Sequence, residues 1–220
     1  AGSAGADKLY VDDVFSAYTY TGNGTNQTIN NGIDLAGNGG MVWAKARDSA
    51  FGNFLRDSAR GSTSNTLTAN TADAQSAGNL PCTFLSSGYS EDGGYNGSNG
   101  SSINYVSWTF RKAPKFFDVV TYTGTGAASR SIAHSLGIAP GMLIVKRTDA
   151  AGVWYAFHKY DETKHSMLNG TEGFYAFGSS RQFASDSFSV EGINTNGASY
   201  VAYLFAHDTS ADGIVQCGSY

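Results

Sequence analysis

The sequence predicts an all-β protein built as two tandem β-sandwich modules, jelly-roll or lectin-like, of roughly 100 residues each. Three observations carry this. Gly is 28 of 220 residues and Pro only 3, while Tyr and Phe stand at 13 each, a blend that favours many short strands and tight glycine turns over long helices. Apolar and polar residues alternate along several short segments. The same landmarks also occur twice along the chain, in the same order.

The duplication rests on four matches. Tyr18-Thr19-Tyr20-Thr21-Gly22-Asn23-Gly24 returns as Val120-Thr121-Tyr122-Thr123-Gly124-Thr125-Gly126, an offset of 102. Met41-Val42-Trp43-Ala44-Lys45 with Asp48 returns as Met142-Leu143-Ile144-Val145-Lys146 with Asp149, an offset of 101. Phe84 and Tyr89-Ser90 match Phe183 and Phe188-Ser189, and Tyr105 to Phe110 match Tyr200 to Phe205 with the offset down to 95. The expected divisions are a linker or cloning scar over 1–10, repeat 1 over 11–113, repeat 2 over 114–210 and the start of a truncated third repeat over 211–220. The basic, proline-bearing Arg111-Lys112-Ala113-Pro114-Lys115 is the expected linker. For the tail two readings stand: an ordinary C-terminal strand, or a third copy opening at about Gly213, since Ile214 to Tyr220 resembles Phe116 to Tyr122.

Within a repeat, Val106, Trp108 and Phe110 fall on one face and Tyr105, Ser107 and Thr109 on the other, with Val201, Tyr203 and Phe205 repeating the inward set. One buried sheet face is expected. Met142 to Val145 is continuously apolar, which suits a strand covered on both sides, by its own sandwich and by a loop or neighbour. Turn signals such as Gly22-Asn23-Gly24, Asn31-Gly32, Gly93-Gly94 and Asn196-Gly197 recur about every 8 to 12 residues, so each module should hold about seven or eight strands. A module of this size buries enough surface to fold alone, so two separate interiors with a hinge near Pro114 are expected.

Composition excludes several functions. The formal charge is −4, and no basic cluster exceeds Arg111-Lys112, so the electrostatic footprint for nucleic acid is missing. No stretch approaches the ~18 apolar residues that cross a bilayer. Cys82 and Cys217 lie 135 positions apart in different repeats, which favours two free thiols over a bridge. No CxxC or Cys/His cluster indicates zinc or redox chemistry.

An enzyme is not expected. Glycoside cleavage needs paired carboxylates, yet of Asp12-Asp13, Asp57, Glu91-Asp92, Asp161-Glu162, Asp186 and Glu191 none recurs between the copies. Asp48 and Asp149 do recur, as routine turn residues. His134, His158, His165 and His207 show no metal-binding spacing, and no Gly-x-Ser-x-Gly elbow accompanies them. The candidate binding residues sit elsewhere. Asp92, Tyr95 and Asn96 belong to a Gly/Ser/Asn-rich stretch, 92–100, that is longer than its counterpart near Gly192 to Gly197. Oxygen-bearing side chains beside an exposed tyrosine suit sugar hydroxyls and ring stacking. Its carboxylates could also add a hard cation such as Ca²⁺, although no cofactor is indicated. Trp154, Tyr155 and His158 form the second candidate set: Trp154 alternates away from Tyr155, so one aromatic must face out or toward a neighbour, the rest packing in the core.

Tyr10-Val11-Asp12-Asp13-Val14-Phe15-Ser16, Gly40 to Lys45, Tyr105 to Asp118 and Tyr200 to Asp208 resemble the tandem modules of tailed-bacteriophage virion proteins, described as tail-fibre or appendage components and often only as domains of unknown function. The resemblance covers nearly the whole chain and brings no catalytic motif. It implies a virion-surface protein, extracellular after release, whose partners are other virion proteins and further copies of itself. With the residues above, the expected function is host-surface attachment through weak, multivalent glycan binding, without nucleic-acid binding or membrane insertion. The alternatives are a purely structural spacer or capsid-decorating protein packed against neighbouring subunits and, least favoured, a polysaccharide-degrading enzyme.

Overall fold

The computed structural model describes residues 8–61, 65–76, 82–176 and 182–218. Its helices are two four-residue turns, α1 (Val11–Val14) and α2 (Leu35–Asn38). The first half of the chain holds β1 (Phe15–Thr21), β2 (Gln27–Asn30), β3 (Gly40–Ala46), β4 (Asn53–Asp57), β5 (Leu67–Thr68), β6 (Cys82–Leu85), β7 (Gly88–Glu91) and β8 (Asn104–Arg111). The second half holds β9 (Phe117–Thr123), β10 (Arg130–Ala133), β11 (Pro140–Arg147), β12 (Trp154–His158), β13 (Asp161–Met167), β14 (Tyr175–Ala176), β15 (Ser187–Val190) and β16 (Ser199–Ala206). The expected strand number per half is met.

Among the described residues all ladders are antiparallel. The first half forms a large sheet ordered β1-β8-β3-β4-β5 and a small one ordered β2-β7-β6. In the second half the large sheet runs β9-β16-β11-β12-β13-β14 and the small one is β10-β15. The strand order is therefore the same from β1 or β9 inward. Registers agree as well: Trp43 stands between Trp108 and Leu55, as Ile144 stands between Tyr203 and Ala156. Tyr20 pairs with Tyr105 and Tyr122 with Tyr200. Both tyrosine pairs stack, with ring centroids 5.2 and 4.9 Å apart.

Burial corrects the expected inward pattern of β8. Tyr105, Ser107 and Thr109 are its fully buried residues, while Val106, Trp108 and Phe110 are only partly covered. Two periodic faces differ in what covers them, and alternation alone cannot say which cover is thicker. β16 is buried on both faces along nearly its whole length.

Among the described residues the apolar interior has three parts. One, with Tyr20, Ile29, Val42, Cys82, Tyr89 and Tyr105, lies between the large and small sheets of the first half. A second, with Tyr122, Leu143, Phe157, Phe188, Tyr200 and Leu204, does the same in the second half. The third is shared: Val14, Met41, Leu55 and Leu67 of the first half pack with Phe117, Ile144, Trp154 and Tyr203 of the second. The expectation of two separately closed interiors is thus corrected. The two large sheets bury part of their remaining faces on each other, Met41, Leu55 and Leu67 against Ile144, Trp154 and Tyr203, because a sheet with large apolar residues on both faces needs two covers.

The expected hinge is a packed turn. The Ala113 carbonyl accepts the N–H groups of Phe116 and Phe117, both at 3.2 Å, and Ala113 and Phe116 belong to the shared interior. Leu9, assigned to a linker by sequence, packs there too. The tail folds back: Asp208 N–H donates to the Val215 carbonyl at 3.0 Å, and Ile214, Val215 and Cys217 pack on the same interior. Residues 211–218 form no strand, and Tyr220, the landmark for a third copy, lies outside the described residues. Both cysteines are free thiols.

Candidate functional site

The 92–100 stretch is an ordered loop, held from beneath by buried polar groups. Where β7 ends, the Glu91 carboxylate meets the Arg56 guanidinium of β4 at 2.7 Å, with both side chains almost completely buried. Ser98, fully buried at the far side of the loop, donates to Glu91 at 2.9 Å and accepts from Arg56 at 3.1 Å. A buried charge pair with its remaining hydrogen-bond sites filled fixes geometry more than it adds stability.

Further contacts define the rest of the loop. The Tyr20 hydroxyl donates to the Ser98 carbonyl at 2.6 Å, and the Tyr105 hydroxyl donates to the Asn96 carbonyl at 2.6 Å while accepting the Gly100 N–H at 2.9 Å. Burial, with Tyr89 and Glu91 adding to it, pushes the Tyr20 phenol far above its ordinary range, so it stays a donor. The Asn99 amide donates to the carbonyls of Gly93 and Thr25. Gly22 permits this approach, because a Cβ there would stand 2.2 Å from the Gly100 carbonyl oxygen.

What this base presents is Tyr95. Its side chain is 41% exposed and rests edge-on against Phe54, centroids 5.4 Å apart at 82°. Asn96 beside it is exposed. The Asp92 carboxylate accepts from the Thr83 and Ser90 hydroxyls at 3.1 and 2.9 Å. The three residues singled out in the sequence are therefore neighbours on one ordered loop. A presented phenol ring flanked by an amide and a carboxylate can stack on a ring and bond its hydroxyls. Glu91, the carboxylate nearest in sequence, is tied to Arg56. Among the described residues no three His, Cys, Asp or Glu side chains gather as a cation site.

The second half repeats the tyrosine and asparagine contacts of the base, with Phe157 at the register place of Arg56, but not the platform. Tyr122 donates to the Ile193 carbonyl at 2.9 Å, Thr195 N–H donates to the Tyr200 hydroxyl at 3.2 Å, and Gly126 N–H donates to the Asn194 carbonyl at 2.7 Å, where Gly24 uses Asn99. Thr125 N–H meets the Asn194 side chain as Asn23 N–H meets that of Asn99. The chain reaches Asn194 four residues after β15 but takes eight from β7 to Asn99. The additional residues carry Tyr95.

Trp154, Tyr155 and His158 do not join this loop or act as one set. Trp154 is fully buried and donates its indole N–H to the Thr71 carbonyl at 3.1 Å, so its expected ligand contact is corrected: the first half already covers it. Tyr155 points to the opposite face of β12 and packs against His165, centroids 5.2 Å apart. His158 lines an open groove of about 510 Å³ together with Met142, Tyr160, Lys164 and Phe174. It stacks on Tyr160 at 5.2 Å, and burial, then Lys159 and His207, lower its basicity.

Two features escaped the sequence reading. One is the Arg56–Glu91–Ser98 base. The other joins the halves: Tyr203 donates to Asp57 at 2.8 Å, and Arg60 holds the same carboxylate at 2.6 Å. The available signal was Arg56-Asp57 directly after Phe54-Leu55 in a short strand, charges at positions that alternation turns inward.

A family model described as "Domain of unknown function (DUF7483)" matches residues 11–220. No curated protein and no solved structure matches.

Proposed function

Since the chain belongs to the DUF7483 family, whose description carries no activity, we propose its function from its own surfaces: a non-catalytic attachment module of a phage virion appendage, contacting host-surface glycan through Tyr95. The reading treats the chain as two duplicated sandwiches, on the strength of the shared strand order, ladder registers and loop bases. The assignment to a virion surface rests on the resemblance of the Tyr105 to Asp118 and Tyr200 to Asp208 segments. Asp92, Tyr95 and Asn96 make the contact, Tyr95 by stacking and the other two by hydrogen bonds to hydroxyls. One such platform binds weakly, and copies on one particle multiply it.

The observation that carries the reading is Tyr95 itself, an exposed ring on an ordered loop with no counterpart in the shorter loop of the second half. A glycan array probed with the full chain, followed by titration of the best ligand, tests it. Tyr95→Ala should weaken binding about tenfold, corresponding to about 1.4 kcal/mol, and Tyr95→Phe should retain it. Unchanged affinity in Tyr95→Ala would overturn the assignment. A second reading, packing against neighbouring subunits, is favoured by the aromatic groove beside His158.

A further inference from the structure

Within the chain, one segment of the first half covers a sheet face of the second. Residues 57–61 and 65–76 lie over Ile144, Trp154, Val201 and Tyr203, all buried. They are held there by Asp57 and Arg60 on the Tyr203 hydroxyl, by Thr71 on the Trp154 indole, by Ala72 on the Lys146 ammonium at 3.1 Å, and by Gln75 N–H on the Thr148 carbonyl at 2.9 Å.

The ladders identify the counterparts of both partners. Met41 faces Asp57 as Met142 faces His158, so the covering residues 57–61 and 65–76 correspond to the stretch that begins at His158. Trp43 and Trp108 occupy the places of Ile144 and Tyr203, and Val106 that of Val201. Both counterparts are covered only in part, with Trp43 at the margin of the shared interior. Trp43, Val106 and Trp108 are only partly buried. Along the other surface Tyr160 is 57% and Phe174 69% exposed, with Leu168 and Tyr175 exposed beside them. That edge also borders the open groove of about 510 Å³. Both are apolar surfaces of the kind that mark an interaction site.

We infer that these two surfaces are partners between copies: the 158–176 edge of one chain covers the Trp43–Trp108 face of the next, repeating between molecules the contact that residues 57–61 and 65–76 make within one. The occupant is a second copy of this chain, because the interface is already built once in its own fold from corresponding residues. The two surfaces differ, so the association is head-to-tail and each added copy exposes the same pair again. The inference does not depend on the sugar contact, since Tyr95 belongs to neither surface.

Sedimentation of the full chain over a rising concentration series tests it. The wild type should form species that lengthen with concentration. Phe174→Asp, at a highly exposed position, and Trp108→Glu should each remain monomeric, with melting checked to confirm that they fold. Mixing the two variants should restore association, but only to a one-to-one dimer, because the intact edge of one meets the intact face of the other. A wild type that stays monomeric throughout, a folded single variant that lengthens like the wild type, or a mixture that stays monomeric would each overturn the inference. A variant that fails to fold is replaced by Tyr160→Asp on the edge or Val106→Asp on the face, and the same outcomes decide.

Discussion

Lys146 and Lys45 occupy corresponding places on β11 and β3, yet their surroundings differ. The Lys45 ammonium is held by carbonyls of its own turn, Ser49 at 3.3 Å and Phe51 at 2.8 Å. Lys146 bonds Gly152 of its turn at 3.0 Å and Ala72 of the other half at 3.1 Å, with no exposed surface. Burial lowers its pKa to about 8, with Arg147 adding and Asp73 and Asp149 opposing. Between about pH 8 and the ordinary lysine value of 10.5, the unfolded chain therefore holds a proton that the folded chain has released. Stability from this group rises with pH across that window; it is fully present above the upper value and lost as pH falls through the lower. The buried phenols of Tyr20, Tyr89 and Tyr203, above about pH 10, and the thiols of Cys82 and Cys217, above the ordinary thiol value of 9.0, all have pKa values pushed up by burial and act in the opposite sense, which leaves about pH 8 to 9 as the clean interval. Denaturant midpoints over that interval should climb less steeply in Lys146→Met than in the wild type. Parallel curves would remove Lys146 from the account.

Residues 57–61 and 65–75 join the halves, and their polar contacts are unequal in weight. Asp57 is fully buried and serves both Arg60 and Tyr203. Replacing it with Ala strands the nearly buried Arg60 cation, for which a loss of about 3 to 5 kcal/mol is expected. Tyr203→Phe removes one hydroxyl and leaves the Asp57–Arg60 pair intact, so its cost should be about 1 kcal/mol. Urea unfolding of both variants checks the ratio, and equal losses would mean that the ion pair does not depend on burial. The same element shows where sequence stops being informative. The strands of both halves were legible, since alternation and glycine turns are local, and so was the Tyr95 loop, as an insertion between matched landmarks. Trp154 was not, because period-two alternation places its side chain opposite Tyr155 without saying what lies there. The answer, Thr71, is 83 residues away on a segment whose pattern gives no sign of a partner.

At the scale of the molecule, the layers run small sheet, large sheet, large sheet, small sheet, and the middle interior belongs to both halves. Removing either half would expose Ile144, Trp154 and Tyr203, or Met41, Leu55 and Leu67, to water, at about 1.5 to 3 kcal/mol for each large apolar side chain. Domains are stable only by margins of about 5 to 15 kcal/mol, so a loss of that size, with Arg60 and Lys146 also stripped of their partners, is comparable to all the stability one half could have. The turn at Ala113–Phe117 adds a covalent constraint, because Ala113 and Phe116 are themselves part of the shared interior. The halves should therefore unfold together despite their matching strand orders. Scanning calorimetry should show one transition with equal calorimetric and van't Hoff enthalpies. Asp57→Ala, at the junction, should lower that transition without splitting it. Two resolved transitions in the wild type would mean that each half is stabilised chiefly between its own large and small sheets, and that the shared interior forms only after both have closed.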